Sequence, residues 1–206
     1  MDYKFLIDHL ISLGYLKTPL IIEAFRKINR KDFVLPEYKK LAYEDTALPI
    51  GFGQTISQPL TVAFMLEELQ PKKGEIILDV GAGSGWQTVM LAYCVGEEGK
   101  VIAIERIPGL ADMAKKNIAK YNFIEKGIVE IRLADGSRRI AGIEFDKIIA
   151  AAAGEEIPEA WKEELKIGGR IVAPVENGIV VMEKISEDEF KAKKYPGFVF
   201  VPLVRE

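Results

Sequence analysis

Gly51 to Pro59, GFGQTISQP, places two glycines, the polar side chains of Gln54, Thr55 and Ser57, and a proline directly before an apolar run. Glycines leave backbone N–H groups uncovered, and hydroxyl and amide side chains donate hydrogen bonds, so this stretch is suited to holding a small charged group. A helix cap accounts for part of the same composition, with Ser57 as the N-cap and Pro59 inside the first turn. A second chemical segment is ILDVGAGSGW, Ile77 to Trp86, where an apolar strand ends in Asp79 and Gly81, Gly83 and Gly85 lead into a helix. Glycines there let the backbone turn sharply and approach a ligand closely, in the strand-end crevice where open α/β sheets bind ligands. Two acids follow at strand ends. Glu105 closes KVIAIE and can accept both hydrogen bonds of a ribose diol, while Asp135, followed by Gly136, closes the third strand, where it could receive an adenine amino group. Taken singly, each has a plainer reading: a tight strand-to-helix turn, an acid favouring a helix start, an Asp-Gly turn.

These residues need elements to place them. Apolar spacing predicts a helix over residues 3–13, and a second helix opens with Thr18 as N-cap and Pro19 at its first position. Residues 36–57 read as irregular, and a third helix is expected from about Gln58 to Leu69, stopping at Pro71. Beyond it the chain alternates: EIILDV, helix WQTVMLAYCV, KVIAIE, a helix from Pro108 to about Tyr121, IVEIRLA, DKIIAAAA, helix PEAWKEELK, then GRIVAPV, GIVVMEKI and GFVFVPLV. Short β-branched runs separated by helix-length segments imply βαβ units. The expected fold is therefore α/β: a doubly wound, mainly parallel sheet with helices on both faces, antiparallel strands near the C-terminus and an N-terminal helical flank. A single domain spans 1–206, with residues 1–57 as flank and substrate loop and 58–206 as Rossmann-like core.

Composition narrows the function classes. With 28 Lys and Arg against 31 Asp and Glu, the net charge of −3 supplies no overall field for nucleic acid or anionic lipid. The single cysteine, Cys94, lies in an apolar run and excludes both an intrachain disulfide framework and a Cys-rich zinc site; it reads as a buried, reduced thiol. No metal site, signal peptide or membrane span is expected, and the protein is expected to be a cytoplasmic monomer.

The glycine loop reads G-A-G-S-G rather than G-x-G-x-x-G, a spacing that favours S-adenosylmethionine over a dinucleotide, as does an acid after the third strand. At this point the chain resembles the protein-L-isoaspartate O-methyltransferases. The matching pieces are AYEDTALPIGFGQTISQP, ILDVGAGSGWQT, VIAIERIPGLADMAKKN, Asp135-Gly136, FDKIIAAAAGEEIPEAWKEELKIGGRIVAPV and GFVFVPLVRE, together with the N-terminal LIDHLISLGYL and INRKDFVLP. The resemblance implies transfer of the methyl group of S-adenosylmethionine to the free carboxylate of isoaspartyl residues in damaged proteins and peptides, leaving S-adenosylhomocysteine. It makes Ser57 the active-site serine and has Gln54 and Thr55 shape the substrate loop. It assigns Gly81, Gly83 and Gly85 to the methionine end of the cofactor, Glu105 to the ribose and Asp135 to the adenine, and it places Ala151, Ala152 and Ala153 against the peptide. Asp79 and Gly136 are counted with the cofactor-binding residues. The chain departs from the family in Ala134, where relatives commonly carry glycine, in lacking a glutamine after GRIVAPV, and in a shortened 176–195 region. A methyltransferase acting on another protein carboxylate or a small acid, and a cofactor-binding module without catalysis, are the alternative readings.

Overall fold

The computed structural model describes residues 2–203. Helix α1 (Tyr3–Ser12) is capped by Asp2, whose carboxylate accepts the Phe5 N–H at 2.7 Å, and it buries Leu6, Ile7 and Leu10. Helix α2 (Pro19–Lys27) begins at Pro19, but Thr18 makes no cap bond; its hydroxyl donates to Glu67 at 2.7 Å, tying the flank to the third helix. The stretch expected to be irregular contains a hairpin, β1 (Leu48–Gly51) and β2 (Gln54–Ile56), preceded by a short 3-10 turn at Pro36–Tyr38. Its two-residue turn holds Phe52 at φ 55° and Gly53 at φ 70°, the doubly left-handed geometry that matches the twist of paired strands. Such short strands, carrying Pro49 and Gly51, have too little alternation for a strand signal.

Helix α3 (Pro59–Leu69) follows, and its start corrects a second expectation. Gln58 occupies the N-cap position and makes no side-chain cap bond, and Ser57 is not the cap either. Asp45, distant in sequence, takes that role: its carboxylate accepts the Leu60 N–H at 2.8 Å and the Gln58 side-chain amide at 3.0 Å. An ionised acid at a helix N-terminus satisfies an orphan N–H and complements the helix dipole.

Strand β3 (Ile76–Val80), helix α4 (Trp86–Val95), strand β4 (Lys100–Glu105), helix α5 (Pro108–Ala119), and strands β5 (Val129–Leu133) and β6 (Phe145–Ala150) come next. Helix α6 (Glu159–Glu164) and strands β7 (Leu165–Val175), β8 (Gly178–Lys184) and β9 (Phe190–Pro196) complete the described chain. The seven-stranded sheet has the order β5-β4-β3-β6-β7-β8-β9. Its first five members are parallel, and β8 and β9 pair antiparallel, as expected. Winding proceeds from β3 to β5 in one direction and from β6 to β7 in the other, so the strand order reverses between β3 and β6. Alternate residues feed opposite faces: Ile77, Val101 and Ile149 pack with helices α1 to α5, while Leu78, Ile102 and Ile148 pack with Trp161 of α6. Helices cover both faces, one of them with the short α6 alone.

The last strand was expected at GFVFVPLV. Its place is taken by FKAKKYP, residues 190–196, which pairs along the whole of β8. The apolar 198–203 stretch instead crosses the carboxyl ends of the strands, bridging through Pro202 to Ala153; Val204 lies outside the described residues. Apolar composition there reflects what the segment covers.

Candidate active site

The reversal of strand order opens a crevice at the carboxyl ends of β3 and β6, the position where doubly wound sheets bind ligands. A cavity lined by the glycine loop, Glu105 and Gly136 occupies it. Its floor is the glycine loop. Gly81 and Gly83 line the cavity, with φ of 85° and 54°, conformations in which a Cβ is disfavoured. The Gly81 and Ala82 N–H groups both donate to the Ile104 carbonyl, at 2.8 and 3.1 Å, which anchors the loop to the end of β4. Gly85 has a different part. It does not border this cavity, and a Cβ there would sit 3.0 Å from Ile118 and 3.3 Å from the Ala114 backbone, so this glycine lets α4 pack against α5.

Asp79, counted with the cofactor-binding residues, is set back from the cavity wall. It is 0% exposed and does not border the cavity; its two oxygens accept the Thr88 hydroxyl at 2.6 Å and the Gln87 amide at 2.8 Å. Burial pushes its pKa up to about 6, against the two hydrogen bonds that favour the ionised form, and the Glu105 charge nearby pushes the same way as burial. Asp79 therefore fixes the strand end to the first turn of α4, beneath the loop.

Glu105 is where the sequence placed it. Only 6% exposed, it borders the cavity, and its oxygens accept the Gly83 N–H at 3.0 Å and the Ile107 N–H at 2.9 Å. An ionised carboxylate offers about four acceptor directions, so two remain for hydroxyls of a ligand. Farther along the crevice, Ala134 and Gly136 border the cavity from the end of β5. Gly136 leaves no room for a side chain, since a Cβ would fall 2.5 Å from Val80, and its carbonyl accepts the Trp161 indole N–H at 2.8 Å. Asp135 between them faces an adjoining depression that shares Ile104 and Ala134 with the cavity. One of its oxygens accepts the Ser137 N–H and hydroxyl at 2.9 and 2.7 Å, and the other lies 3.4 Å from Arg138.

Hairpin β1–β2 forms the opposite wall. Gln54 and Thr55 border the main cavity together with Ala151 and Ala152 from the end of β6. Ser57 borders two further spaces: one reaching the glycine loop and Trp86, and a groove reaching Gln58, Thr61 and Val199 to Val201. Thr55 and Ala151 border all three. The serine thus lies between the glycine-loop side of the crevice and the groove beside Val199. Its hydroxyl has no hydrogen bond to any described residue, whereas its carbonyl accepts from Arg30 at 3.0 Å. Ala153 borders none of these spaces; its backbone pairs with the crossing segment, its N–H donating to Val201 and its carbonyl accepting from Leu203. Sequence reasoning missed Asp45, Arg30 and the 199–202 wall, because each acts across a distance that no local pattern records. His9 is exposed on α1, and Cys94 is buried in α4, where burial pushes its thiol up to about 12. Among the described residues no group of three or more His, Cys, Asp or Glu is arranged to hold a metal ion.

The family model described as protein-L-isoaspartate(D-aspartate) O-methyltransferase matches residues 1–206. The protein-L-isoaspartate O-methyltransferase of Ignicoccus hospitalis is 42% identical over 206 residues, spanning 98% of this chain and 96% of that protein. That of Methanopyrus kandleri is 38% identical, spanning 98% and 90% respectively. A Plasmodium falciparum protein, described as a protein-L-isoaspartate O-methyltransferase in complex with S-adenosyl-L-homocysteine, superposes with a TM-score of 0.91 at 23% identity, covering 100% of both chains. That structural likeness establishes the fold.

Proposed function

The chain belongs to the protein-L-isoaspartate(D-aspartate) O-methyltransferase family, and from that premise we propose how its crevice carries out methyl transfer from S-adenosylmethionine to an isoaspartyl carboxylate. The observation that carries the reading is the position of Ser57, which borders both a space reaching the glycine loop and the groove beside Val199, with Thr55 and Ala151 linking these to the cavity that holds Glu105. A nucleoside-bearing cofactor fits that cavity: Glu105 offers free acceptor directions toward it, and Gly81, Gly83 and Gly136 present bare backbone. An extended peptide fits the groove, whose rim carries Val199 at 90% exposure.

S-adenosylmethionine supplies, when bound, an electrophilic methyl group on a sulfonium cation. The residues of this chain then have little acid–base work to do. An isoaspartyl carboxylate ionises near pH 4 and is already a nucleophile at neutral pH, so no general base is needed. Attack neutralises an anion and a cation together, so an enclosed site with few waters favours the transition state over the separated charges. What the protein must supply is orientation, which can contribute as much as about 7–11 kcal/mol in well-aligned reactions. The Ser57 hydroxyl, free of internal partners, donates to one carboxylate oxygen while the other faces the methyl group. Thr55 and Ala151, common to all three spaces, form the threshold between peptide and cofactor. Gln54 holds the hairpin side of that threshold and Ala152 the sheet side.

Three features support a monomer acting without nucleic acid or a membrane-spanning helix. The net charge is −3, edge strand β9 carries Lys191, Lys193 and Lys194 against strand addition, and no described helix is long and apolar enough to cross a membrane. Radiolabelled methyl transfer from S-adenosylmethionine to an isoaspartyl peptide, beside the aspartyl isomer of the same sequence, tests the function. Label in the isoaspartyl peptide alone is expected. Equal labelling of both peptides, or of neither, would overturn the assignment.

A further inference from the structure

Arg30 is 0% exposed and has no salt bridge among the described residues. Its hydrogen bonds all go to neutral carbonyls, while the Asp45 charge attracts it without contact and its Nε has no partner. Nη1 donates to Ala42 at 2.9 Å and to Glu44 at 3.3 Å, and Nη2 donates to Thr46 at 2.8 Å and to Ser57 at 3.0 Å. The guanidinium lies over the Trp86 ring, 5.3 Å from its centroid, where α4 leaves the glycine loop. Burying a cation without a counter-ion costs several kcal/mol, and an apolar side chain of similar volume is often as stable or more so. Stability alone therefore explains this residue poorly.

Geometry explains it better. A guanidinium presents five N–H donors in one rigid plane, and no other side chain can gather carbonyls from four positions at once. Three of those carbonyls, at 42, 44 and 46, belong to the loop that carries Asp45, the cap of α3; the fourth belongs to Ser57 itself. Ser57 is thus held on one side by Arg30 through its carbonyl and on the other by Asp45 through Gln58 and Leu60. The hydroxyl contributes nothing to this restraint and is left free to meet a substrate. Arg30 borders neither the main cavity nor the two spaces that Ser57 borders.

We propose that Arg30 is a positioning residue for methyl transfer: by locking the Ser57 carbonyl to the 42–46 loop, it sets where the serine hydroxyl points. This rests on Ser57 as the group that orients the substrate carboxylate. Burial draws the guanidinium down to about 10, so it stays protonated at neutral pH and keeps all its donors.

The test is a double-mutant cycle of Arg30→Lys and Ser57→Ala, measured with S-adenosylmethionine saturating and an isoaspartyl peptide varied. Lysine keeps the charge and the apolar stem, but its three donors radiate from a single atom and cannot span four carbonyls. Arg30→Met, which removes the buried charge, is measured in parallel, and folding of each variant is confirmed by circular dichroism. Arg30→Lys is expected to lower kcat/KM by at least about tenfold while leaving S-adenosylhomocysteine affinity within about threefold. In the Ser57→Ala background the same substitution should cost less than about threefold, because the group it positions is gone. Losses that multiply, a folded Arg30 variant with kcat/KM within about threefold of wild type, or a parallel loss of cofactor affinity would each overturn the proposal. Should Arg30→Met not fold, the cycle stands on Arg30→Lys. Wild-type protein that methylates no isoaspartyl peptide would instead overturn the functional reading, and the two failures are distinct.

Discussion

Ser57 and Glu105 are both polar groups at the edge of the crevice, yet their surroundings give them opposite dependence on a ligand. The serine hydroxyl has no partner within the protein, so Ser57→Ala removes no internal hydrogen bond and should leave the melting temperature within about 2 °C of wild type, since surface changes away from caps and networks are small. Its kcat/KM on an isoaspartyl peptide should nevertheless fall at least about tenfold, the lower end of what one lost charge-assisted hydrogen bond implies. Steady-state kinetics beside a thermal melt separate the two effects, and unchanged kinetics would remove Ser57 from the mechanism. Glu105 already serves the Gly83 and Ile107 N–H groups. Glu105→Ala should therefore lower stability as well as raise the dissociation constant of S-adenosylmethionine roughly tenfold to a hundredfold, as hydrogen bonds to a charged group contribute about 1.5–3 kcal/mol. Titration calorimetry showing undiminished affinity would exclude the ribose contact.

Two acids act on helix starts, and each has a distinct signature. Asp45 caps α3 from a loop, so Asp45→Ala should cost about 1–2 kcal/mol, a fall of roughly 2–4 °C per kcal/mol for a chain of this length. The same melt that leaves Ser57→Ala unmoved should register it; equal stability would mean that α3 is capped by solvent. Asp79 holds β3 to α4, and its signature is pH. Its folded value, about 6, lies above its ordinary 3.8, so between these values the native state holds a proton that the unfolded chain has released. Stability from this group is complete below about 3.8 and is lost as pH rises through about 6. The loss should be on the order of 3 kcal/mol. Urea unfolding of wild type and Asp79→Asn from pH 4 to pH 7 should show wild type losing ground against the mutant as pH rises. A difference independent of pH would show that the carboxyl titrates normally.

The flank and the sheet share one interior. Leu6 and Phe25 from the N-terminal helices belong to the same buried cluster as Trp86, Val89 and Ile149, and the Phe25 ring meets Trp86 edge-on at 5.8 Å between centroids. A common core makes separate unfolding of residues 1–57 unfavourable. Differential scanning calorimetry should show one transition, with calorimetric and van't Hoff enthalpies in agreement. Two transitions, or a stable 58–206 fragment, would make the flank an independent unit.

The central helices and parallel strands were legible because their signals are local. WQTVMLAYCV and KVIAIE lie between glycines and turn residues that punctuate the chain, and the structure reproduces both spans, Trp86–Val95 and Lys100–Glu105. Glu105 and the cavity-facing Gly81 and Gly83 were legible for the same reason, since a strand end and its following turn are adjacent in sequence. The hairpin, the true position of β9, the cap of α3 and the clamp on Ser57 were not. FKAKKYP is a strand only because β8 offers it a partner along its whole length, and GFVFVP is apolar because it covers a cavity. Asp45, Arg30 and Ser57 read as unrelated residues until folding brings one carboxylate to a helix start and one guanidinium to four carbonyls. Composition and spacing determine which elements form and which residues stand at their ends. Which of those residues face a cavity, and which lie beneath it as Asp79 does, is decided only when helices pack on the sheet and some polar groups find partners while others are left free.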